Sequence, residues 1–142
     1  IPLLPRRMLK LYVDLELGAT WSLAADVAAM GGSTARGNEN GQHRSDGVYY
    51  LGPGRSAGYA VLNLNAAWKP ATGLKLFAQV NNLFARAYST AAQLGPTGFD
   101  AASSFQSRPF AANANGDRPL RHATFYAPGA PRSVQVGVKV GF

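Results

Sequence analysis

The chain has no cysteine, which excludes a disulfide framework and a thiolate metal site. It also lacks any apolar run near the roughly 18–20 residues of a transmembrane helix. Acidic residues are few, with 7 Asp and Glu against 14 Lys and Arg. The basic residues are scattered, only Arg6 and Arg7 being adjacent. Because no stripe of basic and aromatic residues could stack bases, we predict no nucleic-acid partner.

What the sequence does contain is strict alternation, most clearly in residues 132–142. Apolar residues take every second position, and small or polar residues lie between them. A strand of this length, rising ~3.3 Å per residue and tilted by roughly 40°, covers about 28 Å of membrane normal. A slip of one residue would place Lys139 in lipid, so the register is enforced. The segment predicts a strand between lipid and a watery interior, as in an outer-membrane barrel.

Four earlier segments repeat this pattern, so strands are predicted at 8–17, 20–30, 58–69, 73–84 and 132–142. Residues 18–19 and 70–73 form short turns, whereas 31–57 and 85–131 form long connections rich in Gly, Asn, Ser and Arg. In outer-membrane barrels, turns are short on the periplasmic side and loops are long outside. The long connections are therefore predicted to be outer loops.

The predicted fold is all-β, an antiparallel up-and-down meander of about five long strands. Five strands cannot close a barrel, because single-chain bacterial barrels have even strand counts from eight upward and lipid tolerates no open edge. We therefore expect a piece of a larger barrel, with its targeting signal upstream and no plug domain within these residues. The expected location is the outer membrane of a Gram-negative-type bacterium.

Aromatic residues fall near both ends of the predicted strands. Trp21 and Trp68 lie beside the short turns, on the apolar face. Tyr59 lies toward the other end, with Phe84 and Tyr88 where the fourth strand leaves the membrane. Aromatic girdles at both membrane interfaces require such residues. The alternative is that they are core aromatics of a soluble β-sandwich.

Several short sequence segments resemble those of TonB-dependent outer-membrane receptors. Residues 76–84, ending in Asn-Leu-Phe and followed by Tyr88, resemble a segment usually seen in that family, and residues 126–133 resemble its final loop. Residues 5–11, 36–40 and 58–64 resemble family segments in the same order. The resemblance implies a 22-stranded barrel with an amino-terminal plug, a periplasmic energy-coupling protein, and uptake of a scarce large ligand such as an iron-siderophore. It implies no enzymatic activity.

The end of the chain is similar to the sorting signal that the barrel-assembly machinery recognises. That pattern is matched by Gln135, Gly137, Val140 and Phe142. An edge strand with a glycine for close approach can pair with a partner's edge. Alternatively, Phe142 simply anchors the strand at the membrane interface.

Loop residues of the types favoured in binding surfaces are candidates for contact with an anionic or aromatic ligand, namely Arg36, Arg44, Tyr49, Tyr50 and Arg55; alternatively, they are simply solvated. His43 and His122 lie on different loops without metal-ligand spacing, and residues 38–41 with Asp46 lack the spacing of an EF-hand. We predict no metal, cofactor or catalytic residue.

Charged residues of the polar face are predicted to form an internal polar network: Lys10, Asp14, Glu16, Asp26, Lys69, Lys75 and Lys139. Two other functions remain open. One is a soluble β-sandwich binding module, which would purify without detergent. The other is a passive outer-membrane pore, which would lack a plug and a coupling motif.

Overall fold

A computed structural model describes residues 2–141. These residues form ten strands: β1 Met8–Leu17, β2 Trp21–Met30, β3 Ser33–Thr34, β4 Tyr50–Leu51, β5 Arg55–Ser56, β6 Tyr59–Ala71, β7 Leu74–Asn81, β8 Ser89–Pro96, β9 His122–Pro128 and β10 Ser133–Val140. Within the described range, no helix is long and apolar enough to cross a membrane. The chain divides into two compact units. The sheet unit comprises residues 7–31, 58–88 and 129–141, and the loop unit comprises 2–6, 32–57 and 89–128.

The sheet unit is one five-stranded sheet in the order β1-β2-β6-β7-β10, with every neighbouring pair antiparallel. The long strands therefore pair in chain order, which confirms the all-β meander. Strand β1 has the predicted bounds. Strand β7 ends at Asn81, before the predicted end at 84, because Asn82 adopts a positive φ of 51° and leaves the extended conformation.

The turn between β6 and β7 is shorter than predicted. Strand β6 continues through Pro70 to Ala71 across a β-bulge, so only Thr72 and Gly73 form the turn. Proline is tolerated in a strand at such a bulge. Gly73 has a φ of 76°, and a Cβ atom there would lie 2.6 Å from the Gly141 carbonyl oxygen. Only glycine fits this turn without displacing the backbone.

The loop unit contains strands where the sequence predicted only loops. Strands β8 and β9 pair antiparallel, β4 joins β9 in parallel, and β3 pairs with β5. Ala35, Ala92 and Leu120 are buried within this unit. These strands carry no sustained apolar alternation, and β8 and β9 are separated by 25 residues of chain. The sequence pattern that revealed the long strands is therefore absent.

Candidate functional site

The register of the sheet unit gathers apolar residues into unbroken rows. Val13, Ala25, Leu64, Val80 and Val134 are successive cross-strand partners. Their side chains share one face because strand side chains alternate. This face is not packed as a core: on β10, Val136 is 78% exposed. A contiguous apolar surface of this extent is typical of contact with a membrane or another apolar partner.

The opposite face of the sheet unit is polar. Asn63 donates a hydrogen bond of 2.8 Å from Nδ2 to Asp26 Oδ2, and its Oδ1 accepts one of 2.8 Å from the Asn82 backbone N–H. Asp14 and Glu16 line a cavity of 460 Å³ together with Lys75 and Lys139. Of the residues predicted to form the internal polar network, Asp26 takes part in these hydrogen bonds, whereas Lys75 lies directly opposite Lys139.

Trp21 and Trp68 are cross-strand partners on β2 and β6. Their rings stack with centroids 5.6 Å apart and planes 15° from parallel. The two side chains are 46% and 39% exposed. They lie on the apolar face at the end of the sheet with the two short turns, where the sequence placed them.

The aromatic residues at the other end are arranged differently. Tyr59 precedes Val61 and Asn63 by two and four residues, so it shares their polar side of β6 and not the side of Trp68. Its ring lies 4.4 Å from that of Tyr88, which in turn occupies the space where a Cβ of Gly129 would lie. Phe84 is 77% exposed.

Strand β10 carries the residues of the predicted assembly signal that the structure describes. Gln135 pairs with Gln79, Gly137 with Phe77, and Val140 with Leu74. Phe142 lies outside the described residues. The Phe77 ring occupies the space into which a Cβ of Gly137 would project. Gly137 thus has a packing role within the sheet, since an aromatic ring covers a cross-strand glycine.

The loop unit brings together two of the five predicted ligand-contact residues. Arg44 and Arg55 line a groove of 650 Å³ with Arg6 and His43, and no Asp or Glu lines it. Arg44 Nη1 donates to the carbonyl oxygens of Gly41 and His43 at 3.0 and 2.9 Å. These hydrogen bonds orient the guanidinium. Because Arg6, Arg44 and Arg55 line the groove without an acidic residue among the described lining residues, the groove is electropositive.

The other three candidates lie elsewhere. Arg36 forms a backbone bridge with Gln93. The Tyr50 ring lies 5.8 Å from that of His43 and 5.9 Å from that of His122, and the Tyr49 carbonyl accepts a hydrogen bond from the His122 backbone N–H at 2.6 Å. Within residues 2–141, no group of three His, Cys, Asp or Glu residues is placed to hold a metal ion.

Sequence reasoning missed two arginines that shape the loop unit. Arg6 lines the groove although it precedes the first strand. Arg121 donates from Nε to the Val48 carbonyl at 2.9 Å and from Nη1 to Ser103 Oγ at 2.9 Å. Both contacts join residues far apart in the chain. No local pattern in the sequence could have revealed them.

Two carboxylates of the loop unit have depressed pKa values. Asp46 Oδ1 accepts backbone hydrogen bonds of 2.8 Å from Tyr50, Val48 and Tyr49, and these lower the pKa of Asp46, that from Tyr50 most. The Gly37 backbone N–H, which donates to Glu39 Oε1 at 2.9 Å, lowers the pKa of Glu39. Hydrogen bonds to the charged form favour it. Asp46 is therefore engaged in fixing its own loop.

Comparison with known proteins decides the family. Residues 1–83, more than half of the chain, match the family described as TonB dependent receptor-like, beta-barrel. The chain belongs to the TonB-dependent receptor family. Its sheet is accordingly part of a receptor β-barrel of the outer membrane, and the soluble β-sandwich alternative is wrong. No curated protein sequence matches the chain.

Solved structures resemble this TonB-dependent receptor chain in fold. The closed form of the ferric-catecholate import receptor Fiu from E. coli K12 has a TM-score of 0.61 at 20% identity, covering 99% of this chain and 15% of Fiu. The open form of Fiu gives 0.57 at 17% identity, covering 96% and 15%. The copper transporter OprC gives 0.50 at 22% identity, covering 97% and 17%. These similarities concern the fold, and the chain spans only about a sixth of those proteins.

Proposed function

We propose that this chain forms part of the barrel wall of a receptor that imports a scarce metal-containing ligand, such as an iron-siderophore. Family membership supports the receptor role. Similarity to an importer of ferric catecholates and to a copper transporter supports a metal-containing ligand. Energy would come from a periplasmic coupling protein acting through a plug domain. The single observation that carries the proposal is the sheet with one continuous apolar face and one polar face.

The apolar face contacts lipid in this proposal, and the stacked Trp21 and Trp68 mark the periplasmic interface. Aromatic rings prefer that level because they combine an apolar body with a polar tip. Phe84 is the matching candidate for the outer interface. Tyr59 and Tyr88 are instead proposed to brace the strand ends, because Tyr59 lies on the polar side of β6 and its ring is in contact with that of Tyr88, with the two planes inclined at 35°.

The last strand is proposed to serve as the assembly signal, through Gln135, Gly137, Val140 and Phe142. Strand β10 pairs only with β7 among the described strands. Its second edge therefore offers backbone groups for β-augmentation by the barrel-assembly machinery.

Ligand contact is proposed for the electropositive groove. Arginine fits carboxylate and other oxyanion groups with two hydrogen bonds. Arg6 comes from the first segment of the loop unit, and Arg44 and Arg55 come from the second, so the groove can contact a ligand from two separate segments. Tyr49, Tyr50 and Arg36 are proposed as secondary contacts.

Accessibility along one strand tests the proposed membrane orientation. Because the chain has no cysteine, the variants Leu64→Cys and Asn65→Cys each add one thiol to it, on opposite faces of β6. In the receptor in outer-membrane vesicles made permeable to a small polar maleimide, Asn65→Cys should label and Leu64→Cys should be protected. Equal labelling at both positions would contradict a wall between lipid and lumen.

A further inference from the structure

Two turns of the loop unit carry the same dipeptide, Asn-Gly, in the same backbone geometry. In the first turn, the Gly41 backbone N–H donates to the Asn38 carbonyl oxygen at 3.0 Å. In the second, the Gly116 N–H donates to the Asn113 carbonyl oxygen at 2.9 Å. Both glycines have a positive φ, and a Cβ at either one would meet no heavy atom within 4 Å. Both dipeptides are exposed, so the two turns form a matched pair.

The asparagine side chains of the two turns are held differently. Asn40 Oδ1 accepts a hydrogen bond from the Gln42 backbone N–H at 2.9 Å, and Asn40 Nδ2 donates to Gln42 Oε1 at 3.1 Å. Such an Asx turn fixes the side-chain amide against its own backbone. The Asn115 side chain makes no hydrogen bond to any residue of 2–141; only its backbone N–H is engaged, with Asn113 Oδ1 at 2.9 Å. The Asn115 amide is therefore free to rotate.

We propose that Asn115 is a site of spontaneous deamidation and that its counterpart Asn40 is protected. Asparagine is among the chemically labile residues of proteins. The Gly116 backbone nitrogen attacks Asn115 Cγ, so that an N–C bond forms, the Cγ–Nδ2 bond breaks, and the amide group leaves as ammonia with the proton given up by the nitrogen. Because Gly116 has no side chain, the attacking nitrogen is unshielded. Water then opens the cyclic imide at either carbonyl and gives aspartate or isoaspartate.

The protection of Asn40 follows from the hydrogen bonds that must break before the same attack. The bond made by the attacking glycine nitrogen is common to both turns and does not discriminate between them. The two bonds from the Asn40 amide to Gln42 are specific to the first turn. The third dipeptide of this kind, Asp46-Gly47, is also protected. Three backbone N–H groups hold Asp46 Oδ1, and the ionised carboxylate they favour is a poor electrophile.

Deamidation changes both the charge and the geometry of the second turn. Asn113 Oδ1 accepts hydrogen bonds of 2.9 Å from the backbone N–H groups of Asn115 and Asp117. Either product adds a negative charge two residues before Asp117. Isoaspartate also inserts the side-chain carbon into the main chain between the two donors. The modified turn should therefore lose its hydrogen bonds to Asn113.

Peptide mapping of the receptor after incubation in mildly alkaline buffer tests the proposal. Digestion in mild acid suppresses further conversion, and mass spectrometry of the fragments locates each product. In the folded receptor, Asn115 should convert several-fold faster than Asn40. In the urea-denatured receptor the two rates should converge, because the Asx turn is lost. Equal rates in the folded receptor, or conversion of Asn115 only after denaturation, would overturn the proposal.

Substitution of Gln42 tests the protection itself. Gln42→Pro removes both the backbone N–H and the side-chain acceptor, and it should raise the rate at Asn40 toward that at Asn115. Gln42→Ala removes only the side-chain acceptor and should raise it less. Neither change should alter the rate at Asn115, which serves as the internal control. A rate at Asn40 that stays at the parental value in Gln42→Pro would contradict the proposed protection.

Discussion

The cost of placing a lysine on the apolar face should depend on depth along β10. Val134, Val136 and Val138 project from the same face. Val138 is in register with Leu76, which pairs with Trp68. Val138 therefore lies at the level of the tryptophan pair, whereas Val134 lies in the row of Val80 and Leu64, toward the middle of the sheet.

The expected magnitudes follow from this spacing. At ~3.4 Å per residue and a tilt of roughly 40°, Val134 lies about 10 Å deeper than Val138 along the membrane normal. A lysine facing lipid costs ~2–4 kcal/mol at the midplane and ~0–1 kcal/mol near the interface. At 1.4 kcal/mol per factor of ten, Val134→Lys should lower the folded-to-unfolded ratio by about 30- to 700-fold, and Val138→Lys by at most about 5-fold. Val136→Lys should fall between them.

Urea titration of the receptor in lipid vesicles, followed by the gel shift of the folded barrel, measures these differences. Gln135→Lys is the matched control, because it adds the same charge on the polar face, and it should change stability by less than about 0.5 kcal/mol. Equal costs at all three valines would refute the depth assignment. A cost for Gln135→Lys as large as that for Val134→Lys would refute the assignment of the two faces.

Three further changes test local contacts. Gly137→Val should destabilise the receptor by about 1–3 kcal/mol in the same titration, because the Phe77 ring must move. Asn82 is 4% exposed, has a positive φ, and donates hydrogen bonds to the Arg86 and Ala130 carbonyls. Asn82→Ala should therefore lower the free energy of unfolding by about 1–3 kcal/mol or more and speed proteolysis after β7. The pKa of Asp46 in the folded protein is lowered from its ordinary value of 3.8. The ionised carboxylate should therefore stabilise the loop fully above pH 3.8, and this stabilisation should be lost as the pH falls through the lowered pKa. Hydrogen exchange at the Tyr50 backbone N–H would report the loss.

Each of these has a matched comparison. Phe77→Ala should restore most of the stability lost in Gly137→Val, and additive costs would contradict the ring contact. Asn63→Ala removes a less buried amide and should cost less than Asn82→Ala; the reverse order would count against the role of Asn82. Asp46→Asn should abolish the acid-induced change at Tyr50, and its persistence would assign the change to another group.

The long strands could be predicted from the sequence because their information is local. Alternation between apolar and polar residues can be read from each strand alone, so the bounds of β1 could be predicted without knowing its partner. Strand ends depended on backbone geometry that alternation does not encode, such as the positive φ of Asn82 and the bulge that keeps Pro70 in β6.

The candidate site was predicted less completely. Residue type alone indicated Arg44 and Arg55, but Arg6 joins them only because distant segments converge. The packing of Phe77 over Gly137 depends on cross-strand register and was likewise not visible in the sequence.

The pairing of β8 with β9 bears on how the final strand reaches its place. The Gly129 N–H donates to the Tyr88 carbonyl at 2.8 Å, so the chain leaves and re-enters the sheet unit at adjacent points. Once this hairpin has formed, the free length between β7 and β10 falls from roughly fifty residues to about a dozen, and the entropic cost of closure drops by about 1.2 kcal/mol. Weakening the hairpin should therefore slow the arrival of β10, so substitutions in β8 or β9 at positions without a role in ligand contact should still reduce the yield of inserted receptor.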